Sequence, residues 1–512
     1  MGAACQCARS GRVMSRGNSD LTALEVRSLL QRKASQQNSI GFSIPEDLES
    51  DWVPSYSSES IYTIYKKLET VGSGYSGEVS KACLRDNSDR LYAIKSVLKG
   101  RLNTRSTRYF KGELDVLKEI DHPNIVRFYE CYQDPQAYHV VLEFCEGGDL
   151  VSRVEKSRGL PEALAKKFIF QAMYAINYLH QIGIAHRDVK LDNFLLTSKD
   201  DKKADLKLID FGFSRHYKRH KLKSNIGTAW YAAPEVLVKN AEYGPMCDNW
   251  ALGVMLYLML VGDAPFKGSN NQEIFDQVQT KDPMYNVSPF EDINPEVVKI
   301  VKGLLTKDPN ERMQLSTALQ STWFSVTLAE IYKIWDKPTK EAMVKKLKSA
   351  QPISIFKKEV LKLIVRNYPD SEEVVKKTRK FMCCDYLNNG LITEGELKCL
   401  FEEVGESSTA EQYQQICNNI SITPGKIITY TDFLAALLDK KFFEDTKRLK
   451  LAFERFDTEG CGVITEVSMR ACFGRFGYKL EEDLAKQFIQ DFDIDKDGAI
   501  NFDEFQKKMT NN

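Results

Sequence analysis

The spacing of apolar and polar positions changes along the chain. From Ile61 to Ile94, apolar residues alternate with polar residues and turn formers, as in ETVGSGYSGEVSKACL and RLYAIKSVL, and this alternation predicts β-strands. Beyond Pro161, apolar residues recur at helical spacing, as in EALAKKFIFQAMYAINYLH, and they continue to about Phe324. The pattern predicts one domain over 61–324, with a strand-rich lobe followed by a helix-rich lobe.

Two segments outside this domain have different patterns. Residues 1–60 are rich in Ser, Gln, Asn and Arg and show weak periodicity, which predicts a flexible N-terminal extension. Basic residues outnumber acidic ones between 340 and 366, where apolar residues recur at helical spacing (Phe356, Val360, Leu363 and Ile364). We therefore expect a basic amphipathic junction over 325–372, interrupted at Pro352. A helix that caps the preceding core with a solvated basic face fits the same pattern.

An internal repeat fills residues 373–512. The repeat is 36 residues long, and isoleucine stands at the eighth position of each window: Ile392, Ile428, Ile464 and Ile500. A helical pattern flanks every window on both sides. The sequence therefore predicts four helix-loop-helix units, with loops at 385–396, 421–432, 457–468 and 493–504.

Composition limits the possible classes of protein. Apolar residues make up 43% of the chain, and 71 basic residues balance 71 acidic ones, so we expect a folded protein with no nucleic acid partner. The longest uncharged apolar run, 250–262, is shorter than the roughly 20 residues of a membrane span. The 12 cysteines show no C-x-x-C pairing and no secretory segment precedes them. We expect a cytoplasmic protein with free thiols.

A glycine-rich segment lies between the first two predicted strands. Its glycines follow the pattern G-x-G-x-x-G between two valines: Val71, Gly72, Gly74, Gly77 and Val79. Glycine lets the backbone approach the oxygens of a triphosphate without interference from a Cβ atom. Because glycines mark any tight turn, the motif alone is weak evidence of a nucleotide site.

The residues that follow strengthen the nucleotide prediction. Lys95, in the run Ala93-Ile94-Lys95, falls on the third predicted strand, where its ammonium can hold the α and β phosphates. Glu113 falls on a helical stretch and can pair with Lys95. A lysine on a strand is otherwise an ordinary solvated residue, so the interpretation depends on the order of the motifs.

The segments HRDVKLDN and DFG add the groups that the chemistry requires. Asp188 is placed to accept the proton of a substrate hydroxyl, and Lys190 stands in the same loop. Asn193 and Asp210 offer hard oxygen ligands that suit Mg²⁺. The run 233–235, Ala-Pro-Glu, closes the segment that follows. Five motifs in this order make coincidence negligible.

In this order the motifs resemble the eukaryotic protein kinase family. The resemblance implies a bilobal α+β fold over 61–324 that transfers the γ-phosphoryl group of ATP, with Mg²⁺, to serine or threonine of protein substrates. It implies that Leu142 guards the adenine pocket, where the backbone of Glu143 and Cys145 offers hydrogen bonds. The thiol of Cys145 is expected to be inert packing.

The resemblance also implies several supporting contacts. It places Asp248 as the anchor of the catalytic loop and pairs Glu235 with Arg312. Asp149 and Asp192 match positions at which acids bind arginine on the amino-terminal side of the phosphorylated residue. Solvation of the cleft rim is the alternative for both acids.

The fourth repeat meets every requirement of a calcium-binding EF-hand loop. Such a loop needs oxygen ligands at positions 1, 3, 5, 9 and 12, a carbonyl at position 7 and glycine at position 6. The loop supplies them from Asp493, Asp495, Asp497, Asn501 and Glu504, the Ala499 carbonyl and Gly498. The sequence therefore predicts a strong Ca²⁺ site at 493–504.

The other three loops lack ligands. The first keeps several, Asp385, Asn389, the Leu391 carbonyl, Thr393 and Glu396, but Leu387 at position 3 offers no oxygen. We expect weak or no binding there. The second has Lys426 in place of glycine and Asp432 in place of the last glutamate, and the third has Cys461 and Ser468 at positions 5 and 12. We expect no Ca²⁺ at the second loop and a structural role for the third.

A kinase domain, a basic junction and four EF-hands in this order are similar to the calcium-dependent protein kinases of plants and protists. The resemblance implies that the junction inhibits the kinase and that Ca²⁺ releases it, with the junction helix as the intramolecular target of the EF-hands. Three lysines are then expected beside the two substrate-binding acids: Lys345, Lys346 and Lys348 near Asp149 and Asp192. A catalytically weak calcium-sensing scaffold and a constitutive kinase with a calcium-buffering module remain alternatives.

The amino terminus resembles an N-myristoylation site with neighbouring palmitoylation cysteines. Gly2 follows Met1, and Cys5 and Cys7 lie close behind, although Gln6 stands where Ser or Thr is usual. One acyl chain gives marginal membrane affinity, so a second lipid or the nearby arginines are needed for stable anchoring. This predicts a protein peripheral to a membrane surface, and an unmodified tail is the alternative.

The activation segment contains one candidate modification site. Ser224 lies three residues before Gly227 in an unusually basic stretch. A phosphate on Ser224 is expected to pair with Arg187 and order the segment. An unmodified serine beside solvated lysines is the alternative.

Overall fold

The computed structural model of the chain describes most of it from residue 60 onward. The described residues are 55–56, 60–74, 77–218, 222, 228–285, 290, 293–324, 335–369, 371–421, 427–476 and 478–510. They form a domain with a sheet lobe and a helical lobe, followed by an all-α region. This arrangement confirms the α+β fold expected from the sequence.

A six-stranded sheet builds the first lobe. Its strands are β1 (Ser55–Tyr56), β2 (Tyr65–Gly74), β3 (Gly77–Leu84), β4 (Leu91–Leu98), β5 (Phe128–Gln133) and β6 (Ala137–Glu143). Their order is β1-β5-β6-β4-β3-β2, with β1 parallel to β5 and the other neighbours antiparallel. Strand β1 falls inside the extension expected to be flexible. Its order comes from backbone pairing with β5, which the periodicity of 1–60 does not reveal.

Helices dominate the second lobe. The helices of this domain are α1 (Thr104–Glu119), which packs on the sheet lobe, α2 (Leu150–Ser157), α3 (Glu162–Gln181), α4 (Met246–Val261), α5 (Asn271–Thr280), α6 (Pro295–Leu304) and α7 (Leu315–Leu319). Two short strand pairs lie beside them, β7 (Ile184–Ala185) with β10 (Arg215–His216) and β8 (Phe194–Leu196) with β9 (Leu206–Leu208). Single 3₁₀ turns occupy 61–63, 99–101, 191–193, 229–231, 234–237 and 322–324.

Helix α4 is the buried centre of the helical lobe. It contains all but the last residue of the uncharged run at 250–262, and Trp250, Leu252 and Val254 are completely buried. A helix that is apolar around its whole circumference has no face for water and must be surrounded by protein. A Cβ atom at Gly253 would lie 2.8 Å from the Leu304 side chain, so this glycine permits the close approach of α4 and α6.

Eleven further helices follow among the described residues. Helices α8 (Lys337–Lys348) and α9 (Ile355–Asn367) form the junction and are separated around Pro352, as expected. The rest are α10 (Glu372–Cys384), α11 (Glu394–Glu403), α12 (Ala410–Ile420), α13 (Tyr430–Leu437), α14 (Lys440–Phe443), α15 (Thr446–Phe456), α16 (Glu466–Arg475), α17 (Glu482–Phe492) and α18 (Phe502–Thr510).

The four predicted repeats are present and are joined two by two. Short strands in the loops, β11 (Ile392–Thr393) with β12 (Ile427–Ile428) and β13 (Val463–Ile464) with β14 (Ile500–Asn501), form antiparallel pairs. The isoleucines at the eighth positions are Cα partners in these pairs, Ile392 with Ile428 and Ile464 with Ile500. The spacing of the repeat therefore identified the residues that join the EF-hands into an N-terminal pair and a C-terminal pair.

The junction shares an apolar core with the EF-hands. Val344 and Leu347 of α8 and Phe356 and Val360 of α9 are buried in the core formed by the EF-hand helices. The junction therefore packs in the core of the EF-hand module within the same chain. None of the helices in the described part of the chain is long and apolar enough to span a membrane.

Candidate active site and calcium loops

Strand β4 and helix α1 bring together the first two predicted catalytic residues. Lys95 Nζ lies 2.5 Å from Glu113 Oε1. Helix α1 begins at a capping box made by Asn103 and Ser106, which fixes its start beside the sheet. Burial acts to lower the pKa of Lys95, but the charges of Glu113 and Asp210 raise it overall. The lysine is therefore a fixed cation, held by Glu113.

The catalytic loop is held by a buried carboxylate, as expected. Asp248, at the start of α4, accepts backbone N–H groups from His186 at 2.8 Å and Arg187 at 2.7 Å. It also accepts a hydrogen bond from His180 Nε2 at 2.8 Å. Arg187 has a φ of 69°, a left-handed conformation that is costly for a residue with a Cβ atom. The bonds to Asp248 hold this strained turn in place.

Asp188 lies at the centre of a small polar cluster. Its Oδ2 atom is 2.9 Å from Lys190 Nζ and accepts from Asn193 Nδ2 at 3.1 Å. Lys190 Nζ also donates to Thr228 Oγ1 at 3.1 Å, and Thr228 Oγ1 lies 3.4 Å from Asp188 Oδ1. The predicted proton acceptor, the neighbouring lysine and one predicted Mg²⁺ ligand thus meet in one place. Thr228 was not identified from the sequence.

The second predicted Mg²⁺ ligand, Asp210, follows β9. Its Oδ1 atom accepts from the Gly212 backbone N–H at 3.0 Å. Burial acts to raise the pKa of Asp210, but the charge of Lys95 and the Gly212 hydrogen bond lower it overall. The carboxylate is therefore ionised at neutral pH and suits a hard divalent cation. Asn193 and Asp210 fit the Mg²⁺ that accompanies ATP.

The predicted nucleotide-binding residues Val71, Gly72, Gly74, Gly77 and Val79 lie on β2 and β3, at one edge of the sheet. Gly72 pairs with Val79 and Gly74 with Gly77 across β2 and β3, and the side chain of Val71 is half exposed. A Cβ atom at Gly77 would lie 1.7 Å from the carbonyl oxygen of Ser96. This glycine is required by the neighbouring strand, a reason that the motif itself did not suggest.

At the end of β6, the side chain of Glu143 turns to the helical lobe. Its carboxylate lies 2.9 Å from Lys207 Nζ and accepts from the Arg127 backbone N–H at 3.1 Å. Cys145 is buried, as expected for a packing thiol. Ala93 faces Leu142 in the β4–β6 register. The structure thus brings the predicted adenine-pocket residues together.

A buried ion pair supports the activation segment. Arg312 is 2% exposed, and its guanidinium binds both carboxylate oxygens of Glu235, at 2.6 and 2.8 Å. The bidentate geometry is the strongest that arginine offers to a carboxylate. The expected pair is therefore confirmed.

The two predicted substrate-binding acids differ in their surroundings. Asp149 caps α2, and its carboxylate accepts from the Ser152 backbone N–H at 2.7 Å. Burial acts to raise the pKa of Asp149, but its hydrogen bonds to Ser152 lower it overall. Asp192 lies exposed in the catalytic loop. Both carboxylates are at the surface of the helical lobe, and the substrate role stays a prediction.

The fourth EF-hand loop gathers its carboxylates around one point. Ligand oxygens of Asp493, Asp495 and Glu504 lie within 4.8 Å of one another. Glu504 accepts backbone N–H groups of Ile494 and Asn501 at 2.7 and 2.9 Å. Slight desolvation, and the charges of the neighbouring acids, raise the pKa of Asp495. This crowding of negative charge fits a calcium ion.

The remaining positions of this loop also match the predicted pattern. Gly498 has a φ of +90° and donates its N–H to Asp493 Oδ2 at 3.0 Å. Asp497 Oδ1 accepts from the Ala499 backbone N–H at 2.9 Å, and Asn501 Oδ1 accepts from the Glu504 N–H at 3.0 Å. The loop is therefore closed by its own ligands.

The environment of the first loop does not suit a set of calcium ligands. Asp385, Asn389 and Leu391 are buried, and Glu396 is 1% exposed. Burial and the neighbouring charge of Asp385 raise the pKa of Glu396 to about 8. A protonated carboxyl group is a poor calcium ligand. Of the second loop, residues 422–426, including Lys426, lie outside the described residues.

The junction lysines do not lie where the sequence interpretation placed them. Lys346 Nζ is 2.8 Å from Asp439 and donates to the Leu437 carbonyl at 2.6 Å, and Lys348 pairs with Glu406. Lys345 is exposed on the same helix. In this arrangement Lys346 and Lys348 bind the EF-hand module, because the apolar face of α8 packs on the EF-hands. That the three lysines approach Asp149 and Asp192 when the kinase is inhibited stays a prediction.

Known proteins agree with this architecture. The protein kinase domain family matches residues 65–324, and the EF-hand domain pair family matches 446–510. The chain is 32% identical over 451 residues to calcium-dependent protein kinase 33 of Arabidopsis thaliana, covering 88% of this chain and 84% of that protein. It is 30% identical to calcium-dependent protein kinase 2 of Zea mays, covering 91% and 90%. Calcium-dependent protein kinase 5 of Plasmodium falciparum is 30% identical, with 86% and 76% covered.

The chain belongs to the calcium-dependent protein kinase family. It is therefore a calcium-regulated serine/threonine protein kinase that uses ATP and Mg²⁺ and acts on protein substrates. The EF-hand pair that the family comparison matches contains the third and fourth loops. The lipidation residues Gly2, Cys5 and Cys7 and the candidate phosphorylation site Ser224 lie outside the described residues.

In this kinase, the EF-hand module and the junction are docked on the kinase domain through polar contacts that the sequence did not reveal. Arg455 of α15 lies 2.5 Å from Glu130 of β5, and their side chains are 11% and 3% exposed. Arg127 Nη1 donates to the carbonyl of Arg366 at the end of α9, at 3.1 Å. The two partners of each contact are more than 200 positions apart, so no local pattern connects them.

Proposed function

We propose that Ca²⁺ binding, chiefly at the fourth loop, controls this kinase through the junction, which inhibits it and is released by the EF-hands. The observation that supports this most directly is the position of Phe356. Its ring lies 4.7 Å from that of Phe492, the residue before the first calcium ligand, and 5.1 Å from that of Phe456. Both phenylalanines end helices that lead directly into EF-hand loops.

The junction is thus in direct contact with the helices of the C-terminal EF-hand pair. A third ring, that of Phe488, stacks on Phe356 at 5.5 Å. Calcium binding reorients the two helices of a sensor EF-hand and exposes an apolar groove between them. The groove captures the junction, and the captured junction is kept away from the substrate cleft. The described arrangement, with α8 and α9 in the EF-hand core, corresponds to the released state.

The catalytic residues perform a direct phosphoryl transfer. Lys95, fixed by Glu113, would hold the α and β phosphates of ATP, and Asn193 and Asp210 would hold Mg²⁺, which would supply positive charge to neutralise the phosphates. Asp188 orients the substrate hydroxyl and accepts its proton. Lys190 lies beside Asp188 and places positive charge where the transferred group becomes negative.

We also infer that the preferred substrates carry basic residues before the phosphorylated serine or threonine. Asp149 and Asp192 offer carboxylates at the surface of the helical lobe, and a carboxylate is the group that arginine binds in bidentate fashion. Replacing both by asparagine should raise the KM of an arginine-containing peptide and leave that of an otherwise identical alanine peptide unchanged. Equal effects on both peptides would contradict this preference.

A calcium titration of peptide phosphorylation tests the main proposal. Wild-type enzyme should be active with Ca²⁺ and nearly inactive with a chelator. Phe356→Ala should lose calcium-dependent activation, because the junction loses its anchor among the phenylalanines. Ile355→Ala is the matched control, since the neighbouring side chain is 47% exposed. Equal activation of the two variants would contradict the role of Phe356.

Truncation distinguishes the alternatives. A chain ending before residue 340 should be active without Ca²⁺ if the junction inhibits it. A folded but inactive truncated chain would mean that the EF-hand module activates by supporting the kinase domain. Full activity of the intact enzyme in chelator would indicate a constitutive kinase with a calcium buffer. If the intact enzyme is inactive both with Ca²⁺ and with chelator, the chain is a calcium-sensing scaffold.

For localisation, we propose a cytoplasmic enzyme held at a membrane surface by acyl chains on Gly2 and on Cys5 or Cys7. The support is the sequence of the amino terminus alone. Labelling cells with an azido-myristate analogue should mark the wild type and not Gly2→Ala. Absence of label on the wild type would leave an unmodified cytoplasmic protein.

A further inference from the structure

The first EF-hand loop is bound by side chains of the kinase domain. The hydroxyl of Tyr174, on α3, donates to Asp385 Oδ2 at 2.7 Å. One turn further along α3, Asn177 Nδ2 donates to the carbonyl oxygen of Asn388 at 2.7 Å. Asp385 is the first position of the loop and is completely buried. A kinase helix thus binds both a ligand carboxylate and the backbone of this loop.

Apolar contacts complete this attachment. Leu391, at the position that serves calcium with its carbonyl, places its side chain in the apolar core of the kinase domain and is 4% exposed. Gly390 has a φ of +74°, and a Cβ atom there would lie 2.6 Å from the ring of Tyr178 and 2.7 Å from that of His122. Gly390 therefore permits both the turn of the loop and the close approach of the loop to the kinase domain.

The helix after the second loop is attached to the same part of the kinase. Asp121, which precedes His122, accepts from the backbone N–H of Thr431 at 2.7 Å and from its hydroxyl at 2.5 Å. Thr431 is completely buried. Asp121 stands at the N-terminus of α13, where a negative charge is favoured by the helix dipole. Both EF-hands of the N-terminal pair therefore contact the kinase.

Lysines of the junction reach the two ends of the second loop. Lys358 Nζ donates to the carbonyls of Ser421 and Asn418, each at 2.8 Å. Lys362 Nζ lies 3.4 Å from Asp432 Oδ1, and Asp432 is 2% exposed. Ser421 and Asp432 are the first and last positions of the loop, and Ser421 Oγ donates to Asp432 at 3.0 Å. The ammonium group of Lys362 thus faces the carboxylate at the last loop position, and that of Lys358 binds the backbone where the loop begins.

The fourth loop differs in every one of these respects. Asp495 and Asp497 are exposed to solvent, and Asp493 is partly exposed. Their carboxylates accept hydrogen bonds from the backbone of the loop itself. Ca²⁺ can reach these oxygens without displacing another part of the protein.

We propose that the first two EF-hand loops bind protein groups in place of calcium, and that this metal-free pair fastens the junction to helix α3 of the kinase domain. The first loop takes the hydroxyl of Tyr174 and the amide of Asn177. The second takes the ammonium groups of Lys358 and Lys362. Calcium sensing is then left to the C-terminal pair, while the N-terminal pair holds the released arrangement in place. This inference rests on the calcium regulation of the kinase and is independent of whether the junction blocks the cleft.

The attachment should set how much calcium the enzyme needs. The docked, active arrangement is favoured both by Ca²⁺ at the fourth loop and by the contacts of the first two loops, so weakening either shifts the same equilibrium. Loss of one buried hydrogen bond should therefore raise the calcium concentration for half-maximal activity by about fivefold to tenfold.

The test uses the full chain and compares two amide residues of α3. Asn177→Ala removes the bond to Asn388, and Gln181→Ala removes an exposed amide one turn later. We expect Asn177→Ala to need about fivefold to tenfold more calcium and to show faster deuterium uptake in peptide 385–396 at saturating calcium. Gln181→Ala should match wild type in both measurements. Equal behaviour of the two variants would overturn the role of the first loop.

Leu391→Ala weakens the contact between the first loop and the kinase domain from the other side. It shortens a side chain of the loop and leaves the sequence of α3 unchanged. It should reproduce the shift of Asn177→Ala. For the second loop, Lys362→Met should speed deuterium uptake in 355–367, and Lys376→Met, an exposed lysine paired with Glu372 on α10, should not. Unchanged uptake in Lys362→Met would overturn the role of the lysine.

Calorimetry with Ca²⁺ alone decides what the first two loops bind. Glu504→Gln should leave no measurable calcium site at or below the concentrations that activate the wild type. A remaining site that disappears when Asp385→Asn is added would overturn the proposal. If calcium does not stimulate the wild type at all, the proposed calcium regulation is wrong. The deuterium measurements then still test whether the first two loops are attached to the kinase domain and the junction.

Discussion

The kinase cleft and the four calcium loops tolerate the loss of residues very differently. Every group that phosphoryl transfer needs is present and assembled in the cleft, from the Lys95–Glu113 pair to Asp210. Among the loops, the fourth alone carries a full ligand set in the sequence. The reason is that the catalytic groups act simultaneously on one reaction, so none is dispensable. A loop without metal still pairs with its neighbour and still packs.

The first and fourth loops show how far the same residue types can diverge. Both begin with aspartate and end with glutamate. In the first loop, which is bound by the kinase at Asp385, the pKa of Glu396 is raised to about 8 by desolvation first and by Asp385 second. In the fourth loop, Asp493 is partly exposed and Glu504 is held by backbone N–H groups. Location on the kinase surface therefore determines the chemistry as much as the ligand pattern does.

The largest effect is expected in the cleft. Asp188→Asn should lower turnover by about 10² to 10⁴-fold, because the proton acceptor is lost while the phosphate and metal ligands remain. Nucleotide affinity, measured by calorimetry, should change little. Asp276→Asn, an exposed acid on α5, serves as the control and should retain normal turnover. Turnover of Asp188→Asn within tenfold of wild type would contradict the assigned role.

The second effect in size concerns the fourth loop. Glu504→Gln should remove nearly all calcium activation, because the amide keeps one oxygen ligand and loses the charge and the bidentate contact. Asp503→Asn, the exposed neighbour on α18, should be activated normally. The measurement is peptide phosphorylation across a calcium titration. Normal activation of Glu504→Gln would show that a degenerate loop carries the response.

The kinase motifs and the EF-hand repeat could be predicted because their chemistry is local. The order of Lys95, Asp188 and Asp210 identified the cleft, and the 36-residue spacing identified even the paired residues Ile392 and Ile428. Each of these signals lies within a short stretch of sequence or in a fixed period.

The docking of the module on the kinase could not be predicted in the same way. Leu391 was expected to offer its carbonyl to calcium, yet its side chain is buried in the kinase core. The lysines of α8 were expected at the cleft, yet the apolar residues between them face the EF-hands. Amphipathic spacing predicts that a helix has an apolar face, but it does not specify which surface covers that face.

A third and smaller effect tests the contact between the C-terminal EF-hand pair and the sheet lobe. Arg455→Met should destabilise the docked arrangement by about 3 kcal/mol, because Glu130 is left as a buried charge without its partner. Lys450→Met removes the cation of an exposed pair with Glu454 on the same helix and should cost less than about 1 kcal/mol. Thermal unfolding with saturating calcium measures both. Equal shifts would show that the buried pair adds no stability.

The smallest effect on activity is expected at the first loop, where Glu396→Gln should leave calcium activation almost unchanged. The folded protein keeps Glu396 protonated up to about pH 8, and the unfolded chain releases that proton near pH 4.5. The folded state therefore binds more protons between these values, and its stability falls as pH rises, by up to about 1.4 kcal/mol per pH unit.

Glutamine cannot titrate, so Glu396→Gln should flatten this fall in stability between about pH 5 and 8. Chemical unfolding in chelator across that range provides the measurement. Glu402→Gln, an exposed residue on the same helix α11, should keep the wild-type slope. If Glu396→Gln keeps the slope as well, or if it loses calcium activation to the extent that Glu504→Gln does, then the first loop behaves as a calcium site and its contrast with the fourth loop is wrong.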